Sequence, residues 1–305
     1  MTPEQVLAIP PKILAQRQRE AYFDQGFLIL ERIIPMDIIE RMRATTDEMV
    51  GQSRRVAKSD AVWDIEPDHR PDRPRLRRLS SPCDHHPEYW NYVSKSLLGD
   101  IVADLVGPDV KFHHSKLNFK ASGGGQEVKW HQDIQFWPHT NYSPLTVGTY
   151  MYDCDMDMGP VGFIPGSHKG PLYNQYDKDD RWIGCLNEED SKRLDVPKAV
   201  YAAGPAGTIT IHNCRTLHAS AVNRSNRERP LFLCTFASAD AFPYTGNPLQ
   251  SKYDQVLIRG RRARWSHVDP EPCLVPPDWS GGYTSIFALQ QREEGKGKPA
   301  RAYAG

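Results

Sequence analysis

The sequence predicts a mainly β protein with flanking α: N-terminal helices packed on a sandwich or barrel of short strands. Three observations carry this. Up to Val106 the apolar residues recur at spacings of three and four, as in amphipathic helices, and Gly107-Pro108 stops the last of them. From residue 109 short apolar or alternating runs take over, at 110–120, 126–134, 144–156, 160–165, 199–203, 207–212 and 229–238, parted by Gly, Pro, Asn and Asp. No internal repeat or low-complexity segment divides the 305 residues. The reading is therefore one domain over 1–305, helical to about 108, with a β core over about 109–240 and a C-terminal extension over about 241–305.

Composition narrows the function classes. Lys and Arg number 38 and Asp and Glu 38, so the formal net charge is zero. That argues against nucleic-acid or membrane-surface binding driven by bulk charge. No apolar run approaches the ~18 residues of a membrane span. The six cysteines are scattered with no Cys-x-x-Cys pair, as expected of reduced thiols. The expectation is a cytoplasmic protein, monomer or homodimer, acting on a small-molecule substrate. The basic stretch 73–78 follows Asp60, Asp64, Glu66, Asp68 and Asp72, and reads as a solvated or salt-bridged surface.

Taken in order, residues 1–20 are polar and lead into a helix that breaks at Gly26. Phe27-Leu28-Ile29-Leu30 follows as a short strand. Pro35 begins a second helix, with Ile38, Ile39, Met42, Thr46 and Met49 on one face, to about Val50. Residues 51–80, rich in Pro, Arg and Asp, read as a long connection of the kind that forms lids or binding loops, with Trp63 inside it. A further helix spans 86–106. Polar excursions at 170–198 and 240–270 interrupt the β region, and 291–305 reads as a fraying tail. Asp153, Asp155 and Asp157 alternate along one strand face. A calcium loop needs Gly at its sixth position and Glu at its twelfth, where this chain has Met158 and Ile164, so a solvent-facing edge is the better reading.

The chemistry centres on Trp130-His131-Gln132-Asp133. In an extended strand, residues two apart point to the same face, so His131 and Asp133 stand side by side. An imidazole and a carboxylate so placed are two of the three ligands of a 2-His-1-carboxylate iron site. A third ligand should be a second histidine late in the β region. Both His212 and His218 stand there, and histidine content alone does not choose between them. A carboxylate-bearing co-substrate also needs a fixed cation. Arg229 opens the run 229–238, eleven residues after His218, with Arg224 and Arg227 close by as alternatives. The pairs His85-His86 and His113-His114 do not read as chelating units, because neighbours in a strand point opposite ways.

Several of these features together resemble the phytanoyl-CoA dioxygenase family of iron(II)/2-oxoglutarate oxygenases, which includes ectoine hydroxylase. They are Trp130-His131-Gln132-Asp133, the turn Gly159-Pro160-Val161-Gly162-Phe163-Ile164-Pro165-Gly166-Ser167-His168-Lys169-Gly170, and His218-Ala219-Ser220 with Arg229 eleven residues on. Gly26-Phe27-Leu28-Ile29-Leu30 and Leu105-Val106-Gly107-Pro108 also match, so the likeness covers roughly 20–240.

The resemblance implies a double-stranded β-helix (jelly-roll, cupin-like) core behind N-terminal helices. It implies that His131, Asp133 and His218 hold Fe(II), and that Arg229, assisted by Ser220, binds the distal carboxylate of 2-oxoglutarate. Asn118 falls where a relative uses asparagine for the same co-substrate, and His114 where it carries glutamine. Trp137 falls where an aromatic lines the substrate pocket, and Tyr152, Trp63, Phe136 and arginines 75, 77 and 78 are further candidates to line it. His168 belongs to a structural turn, and His212 reads as packing or as support behind the ligands. Dioxygen is the second co-substrate, and the expected outcome is hydroxylation with release of succinate and CO2. Desaturation, epoxidation and ring closure are alternatives. Halogenases of this type carry a small residue where Asp133 stands, so the carboxylate argues against halogen transfer. A metal-binding barrel without turnover and a zinc- or manganese-dependent cupin enzyme are the rivals, and neither accounts for Arg229.

Overall fold

The computed structural model describes residues 1–279, 283 and 285–290. Helix α1 (Pro3–Leu7) starts at Thr2, whose side chain and that of Gln5 exchange bonds with each other's backbone N–H. Helix α2 (Gln16–Gln25) ends at Gly26 in the left-handed region, φ 85°. A Cβ there would fall 2.5 Å from the His168 ring, so the turn needs glycine. Strand β1 (Phe27–Leu30) follows, then α3 (Met36–Gln52), capped by Pro35. Next come β2 (Trp63–Ile65), β3 (Leu76–Ser80), α4 (Pro82–His85), α5 (Pro87–Lys95) and α6 (Leu98–Val106). The core strands are β4 (Val110–Asn118), β5 (Val128–His131), β6 (Leu145–Tyr150) and β7 (Val161–Phe163). After helix α7 (Glu188–Lys192) run β8 (Val200–Tyr201), β9 (Ile209–Asn213), β10 (His218–Ser220), β11 (Leu231–Ser238), β12 (Leu257–Arg259) and helix α8 (Ile286–Gln290).

The strands form two antiparallel sheets. The larger has eight strands in the order β1-β9-β6-β11-β4-β3-β2, with β12 also on β4, and the smaller runs β5-β10-β7-β8. This is a jelly roll, and alternation along the strands divides its surfaces. On the outer face of the large sheet Leu117, Leu145, Val147, Ile209, Ile211, Phe232, Cys234 and Phe236 pack with Ile39, Met42, Tyr89, Val93 and Ile101 of the helices. Phe232 stacks on Tyr89 at 5.1 Å, both fully buried. Removing such a ring costs about 3–5 kcal/mol. Most inner positions are polar: Lys116, Asn118, Thr146, His212 and Thr235 face the small sheet's side, beside Leu231 and Leu233. A sheet that spends only one face on the hydrophobic core leaves the other for a site.

Several expectations change. Residues 51–80 are not a bare connection, since β2 and β3 widen the large sheet. Of the basic stretch 73–78, Arg73 is exposed and Arg75 pairs with Asp68 at 3.2 Å as expected, but Arg77 and Arg78 are not surface residues, being 4% and 0% exposed. Arg77 donates from Nη2 to Asp64 Oδ1 at 2.7 Å, which makes its burial tolerable. The helix 86–106 is two helices, parted where Ser96 is extended. Asp153, Asp155 and Asp157 are exposed but lie past the end of β6, in a turn around a 3-10 segment, Met156–Met158. The short strand β10, which carries His218, falls outside the runs read from alternation.

His113 and His114 do meet, Nδ1 to Nδ1 at 2.6 Å. The register of β4 on β11 slips between Thr235↔His114 and Phe236↔Phe112, so His113 is the extra residue of a bulge and the alternation fails there. Residues 291–305, read as a tail, lie outside the described residues. Among the described residues no helix is long and apolar enough to cross a membrane.

Asp64 also accepts from Ser285 Oγ at 2.5 Å, so one buried carboxylate ties β2, β3 and the approach to α8 together. Asp64→Ala strips that carboxylate from a buried guanidinium and should destabilise the protein by about 3–5 kcal/mol. A urea midpoint unchanged from the parent would contradict this role.

Candidate metal centre

β5 and β10 are neighbours, and their register sets His131 directly opposite His218, with ring centroids 4.1 Å apart. Asp133 completes the group, and the three ligand atoms lie within 4.8 Å of one another. Asp133 is not on the strand. β5 ends at His131, and Asp133 has helical backbone angles, φ −72° and ψ −35°, at the head of a 3-10 turn. The turn, rather than strand alternation, swings the carboxylate back. Its Oδ1 stands 3.7 Å from His131 Nε2 and 3.8 Å from His218 Nε2.

Hydrogen bonds fix which atoms face the centre. His131 Nδ1 donates to Lys129 O at 2.8 Å, and His218 Nδ1 to Thr216 O at 2.9 Å. A carbonyl accepts only, so in each ring the proton is on Nδ1 and the Nε2 lone pair points inward. Asp133 Oδ2 accepts from Thr146 Oγ1 at 3.1 Å and His212 Nε2 at 3.3 Å, which leaves Oδ1 toward the histidines. Burial lowers the His131 pKa to about 4 and that of His218 well below its usual value, so both imidazoles are neutral near pH 7. Burial alone would raise the Asp133 pKa. The charge of Lys116 and the hydrogen bond from His212 outweigh it and hold the carboxyl well below the usual range. Two neutral imidazoles and a carboxylate on one face are the donor set for non-haem Fe(II).

The same cavity, about 50 Å³, is walled by Lys116, Asn118, Lys120, Arg229, Leu231 and Phe287 among others. Arg229 is 3% exposed, and its Nε and Nη1 find no hydrogen-bond partner among the described residues. A buried guanidinium with open donors is a cradle for a carboxylate. Arg227 instead pairs with Asp155 at the surface. Lys120 donates from Nζ to Gln126 O at 2.8 Å, to Ser220 O at 3.0 Å and to Ala221 O. Burial and the charge of Arg229 push its pKa down to about 6.

Not every expected residue reaches this cavity. Ser220 and Asn118 line it, and Asn118 Oδ1 accepts from Arg78 Nε at 3.0 Å. His114 is buried beyond it and joined to it through Thr235 and Thr146. Trp137, 2% exposed, packs against His113, His114 and His139 rather than lining the space. Tyr152 is at the surface beneath Arg43, and Trp63 packs on the helix-side core. Phe136 sets its edge to His131 at 6.1 Å. His168 bonds Phe23 O in its turn, away from the centre. Sequence reading missed Lys116, Lys120, Ile286 and Phe287 as walls. The alternation of Lys116, Asn118 and Lys120 was the available signal for the first two, and the apolar 286–289 run for the others.

The profile of the phytanoyl-CoA dioxygenase (PhyH) family matches residues 22–231. The chain belongs to that family. It is thus a non-haem iron, 2-oxoglutarate-dependent dioxygenase, and the donor set and the open Arg229 fit both groups. Among curated family members, a probable alpha-ketoglutarate-dependent hypophosphite dioxygenase of Stutzerimonas stutzeri is 28% identical over 281 residues, covering 92% of this chain and 98% of that protein. An ectoine dioxygenase of Sphingopyxis alaskensis is 23% identical, with 68% and 70% covered. The crystal structure of EctD from S. alaskensis with 2-oxoglutarate and 5-hydroxyectoine superposes with a TM-score of 0.62 at 20% identity, covering 89% of this chain and 91% of that one. The carbocyclase SnoK from nogalamycin biosynthesis gives 0.62 at 20% identity, over 81% and 96%. The fold is the one these structures share.

Buried histidines also set the acid limit of the fold. Burial lowers the pKa values of His113 and His139 to about 3, against about 6.5 for a free imidazole. Between these values the unfolded chain binds protons that the folded chain refuses. Stability of the metal-free protein should therefore fall as pH drops from about 6.5 toward 3, by about 1.4 kcal/mol per pH unit for each such histidine. Melting temperature against pH checks this, and His139→Gln should flatten the slope by about one proton.

Proposed function

We propose that the protein oxidises a compact small molecule, most simply by hydroxylation, with His131, Asp133 and His218 holding iron and Arg229 holding 2-oxoglutarate. The observation that carries this is the open guanidinium of Arg229 in one small cavity with the three converging ligands. Iron, 2-oxoglutarate and dioxygen together supply the oxidising power. One oxygen atom enters a substrate X–H bond, the other enters succinate, and the first carbon of 2-oxoglutarate leaves as CO2.

The chain's own residues prepare that reaction. Lys129 O and Thr216 O keep both Nε2 lone pairs inward. Thr146 and His212 occupy Asp133 Oδ2, so one carboxylate oxygen serves the metal. Lys116 keeps that carboxylate ionised. Val161, Leu231, Leu233, Ile286 and Phe287 line the cavity and exclude water, which favours oxidation of substrate over loss of the oxidant. Ser220 and Asn118, on either side of the cavity, assist in seating 2-oxoglutarate. Hypophosphite, named for the 28% identical relative, is the first compound to assay.

Succinate formed from 2-oxoglutarate with Fe(II) and oxygen tests the reading. His131→Ala, Asp133→Ala and His218→Ala should each abolish it and lose bound iron. Full turnover by any of them would refute the ligand set. Arg229→Ala should weaken 2-oxoglutarate binding about tenfold to a hundredfold, the worth of a charged hydrogen bond. An unchanged apparent affinity would move the anchor elsewhere.

A further inference from the structure

His113 and His114 are 1% and 0% exposed, and neither lines the metal cavity. Burying two imidazoles costs free energy unless their nitrogens are bonded. Three of the four nitrogens are. The two Nδ1 atoms meet at 2.6 Å, and His114 Nε2 lies 3.3 Å from Thr235 Oγ1. Thr235 Oγ1 is 3.0 Å from Thr146 Oγ1, which bonds Asp133 Oδ2 at 3.1 Å. An unbroken row of hydrogen bonds thus runs from the β4 bulge, through β11 and β6, to a metal ligand.

The direction of every bond in the row follows from its last one. An ionised carboxylate only accepts, so Thr146 donates to Asp133. That spends the single hydroxyl hydrogen of Thr146, and Thr235 must donate to it. Thr235 has then spent its own, and His114 must donate from Nε2. Burial holds the His114 pKa well below the usual imidazole value, so the neutral ring carries its only proton on Nε2 and its Nδ1 is bare. His113 must therefore donate from Nδ1. Its Nε2 keeps a bare lone pair, and that is the one nitrogen of the four with no partner among the described residues. Every donor points toward Asp133. Aligned bonds polarise one another in a low-dielectric interior, so the row is stronger than its separate links.

Asp133 depends on such support because it sits in a turn and not in a strand ladder. Its Oδ2 has two partners, Thr146 and His212. The rings of Phe163 and His218 flank His212 at 5.3 and 4.3 Å, but His212 Nδ1 finds no hydrogen-bond partner among the described residues. Thr146 is the partner whose orientation is bonded from behind.

We infer that Thr235, His114 and His113 are positioning residues of the metal centre, which act through Thr146 to hold Asp133 Oδ2 and so aim Oδ1 at the metal. This rests on the ligand set proposed above and extends it outward to three residues that lie outside the cavity.

The test titrates Co(II) into the metal-free full chain without air. Its visible absorption reports ligand geometry independently of turnover. Thr235→Val and His114→Leu each remove a donor from the row. Each should raise the Co(II) dissociation constant about tenfold to a hundredfold, the usual effect of losing an outer partner of a ligand, and change the visible spectrum. Thr235→Ser and His114→Gln keep a donor in place and should restore both. His113→Leu, at the far end, should have the smallest effect. Circular dichroism of the metal-free variants confirms folding, and Thr235→Val, which keeps the side-chain shape, decides the matter if a histidine variant does not fold. Folded Val and Leu variants that bind Co(II) like the parent overturn the inference, as does a loss of affinity that Ser and Gln fail to restore. A parent chain that binds no Co(II) sinks the ligand set and the inference with it. A parent that binds Co(II) but shows no charge-transfer absorption with Fe(II) and 2-oxoglutarate sinks the dioxygenase reading alone.

Discussion

A buried, ionised carboxylate holds this structure's two sheets in working relation. Asp133 lies two residues past the end of β5, in the small sheet, yet its Oδ2 is bound by Thr146 on β6 and His212 on β9, in the large one. The same side chain presents Oδ1 to His131 and His218. Its position is therefore set by both sheets at once, as is the gap between them. A carboxylate at 3% exposure is tolerable only with that much company. Its partners are in turn fixed, since Thr146 is bonded to Thr235 and Thr235 to His114. The site is thus rigid before anything binds, as a centre that must control a strong oxidant requires.

Division of labour between the faces of the large sheet makes this affordable. Its outer face meets the helices with Phe232, Ile211 and their neighbours, and that packing supplies stability. Its inner face carries lysines, an arginine and asparagine at positions that a hydrophobic core would forbid. Such placements lower stability and are retained where function uses them.

Much of this was legible in the sequence, for physical reasons. The helices announced themselves through apolar spacing, and Gly26 and Gly107 through the backbone freedom their turns need. Most core strands showed as alternating runs. The ligands were legible through the family resemblance, and the structure gathers His131, Asp133 and His218 into one group. The reason offered for the first pair was inexact, because Asp133 reaches the centre from a turn. What stayed hidden depended on distant partners. Arg77 looked like surface because Asp64, its partner, is thirteen residues away on another strand. His113 and His114 looked divergent because a bulge leaves no mark on alternation. Trp137 sits at the expected spacing, but its indole turns toward three histidines.

The last described helix adds a consequence of its own. Ile286 and Phe287 close one side of the cavity, although they come after the last strand of either sheet, β12. That wall is moored by a few side chains: Ser285 on Asp64, and Gln290 on Lys129 N and Gly184 O. The metal ligands and this wall are thereby carried by separate parts of the chain. Ile286 and Phe287 also pack in the buried cluster of Ile134, Phe136, Trp137, Trp182 and Cys214, so the wall is held by apolar contact as well. Divergence among relatives that keep the same triad would then be expected to concentrate after residue 240, in a segment outside the family-defining region.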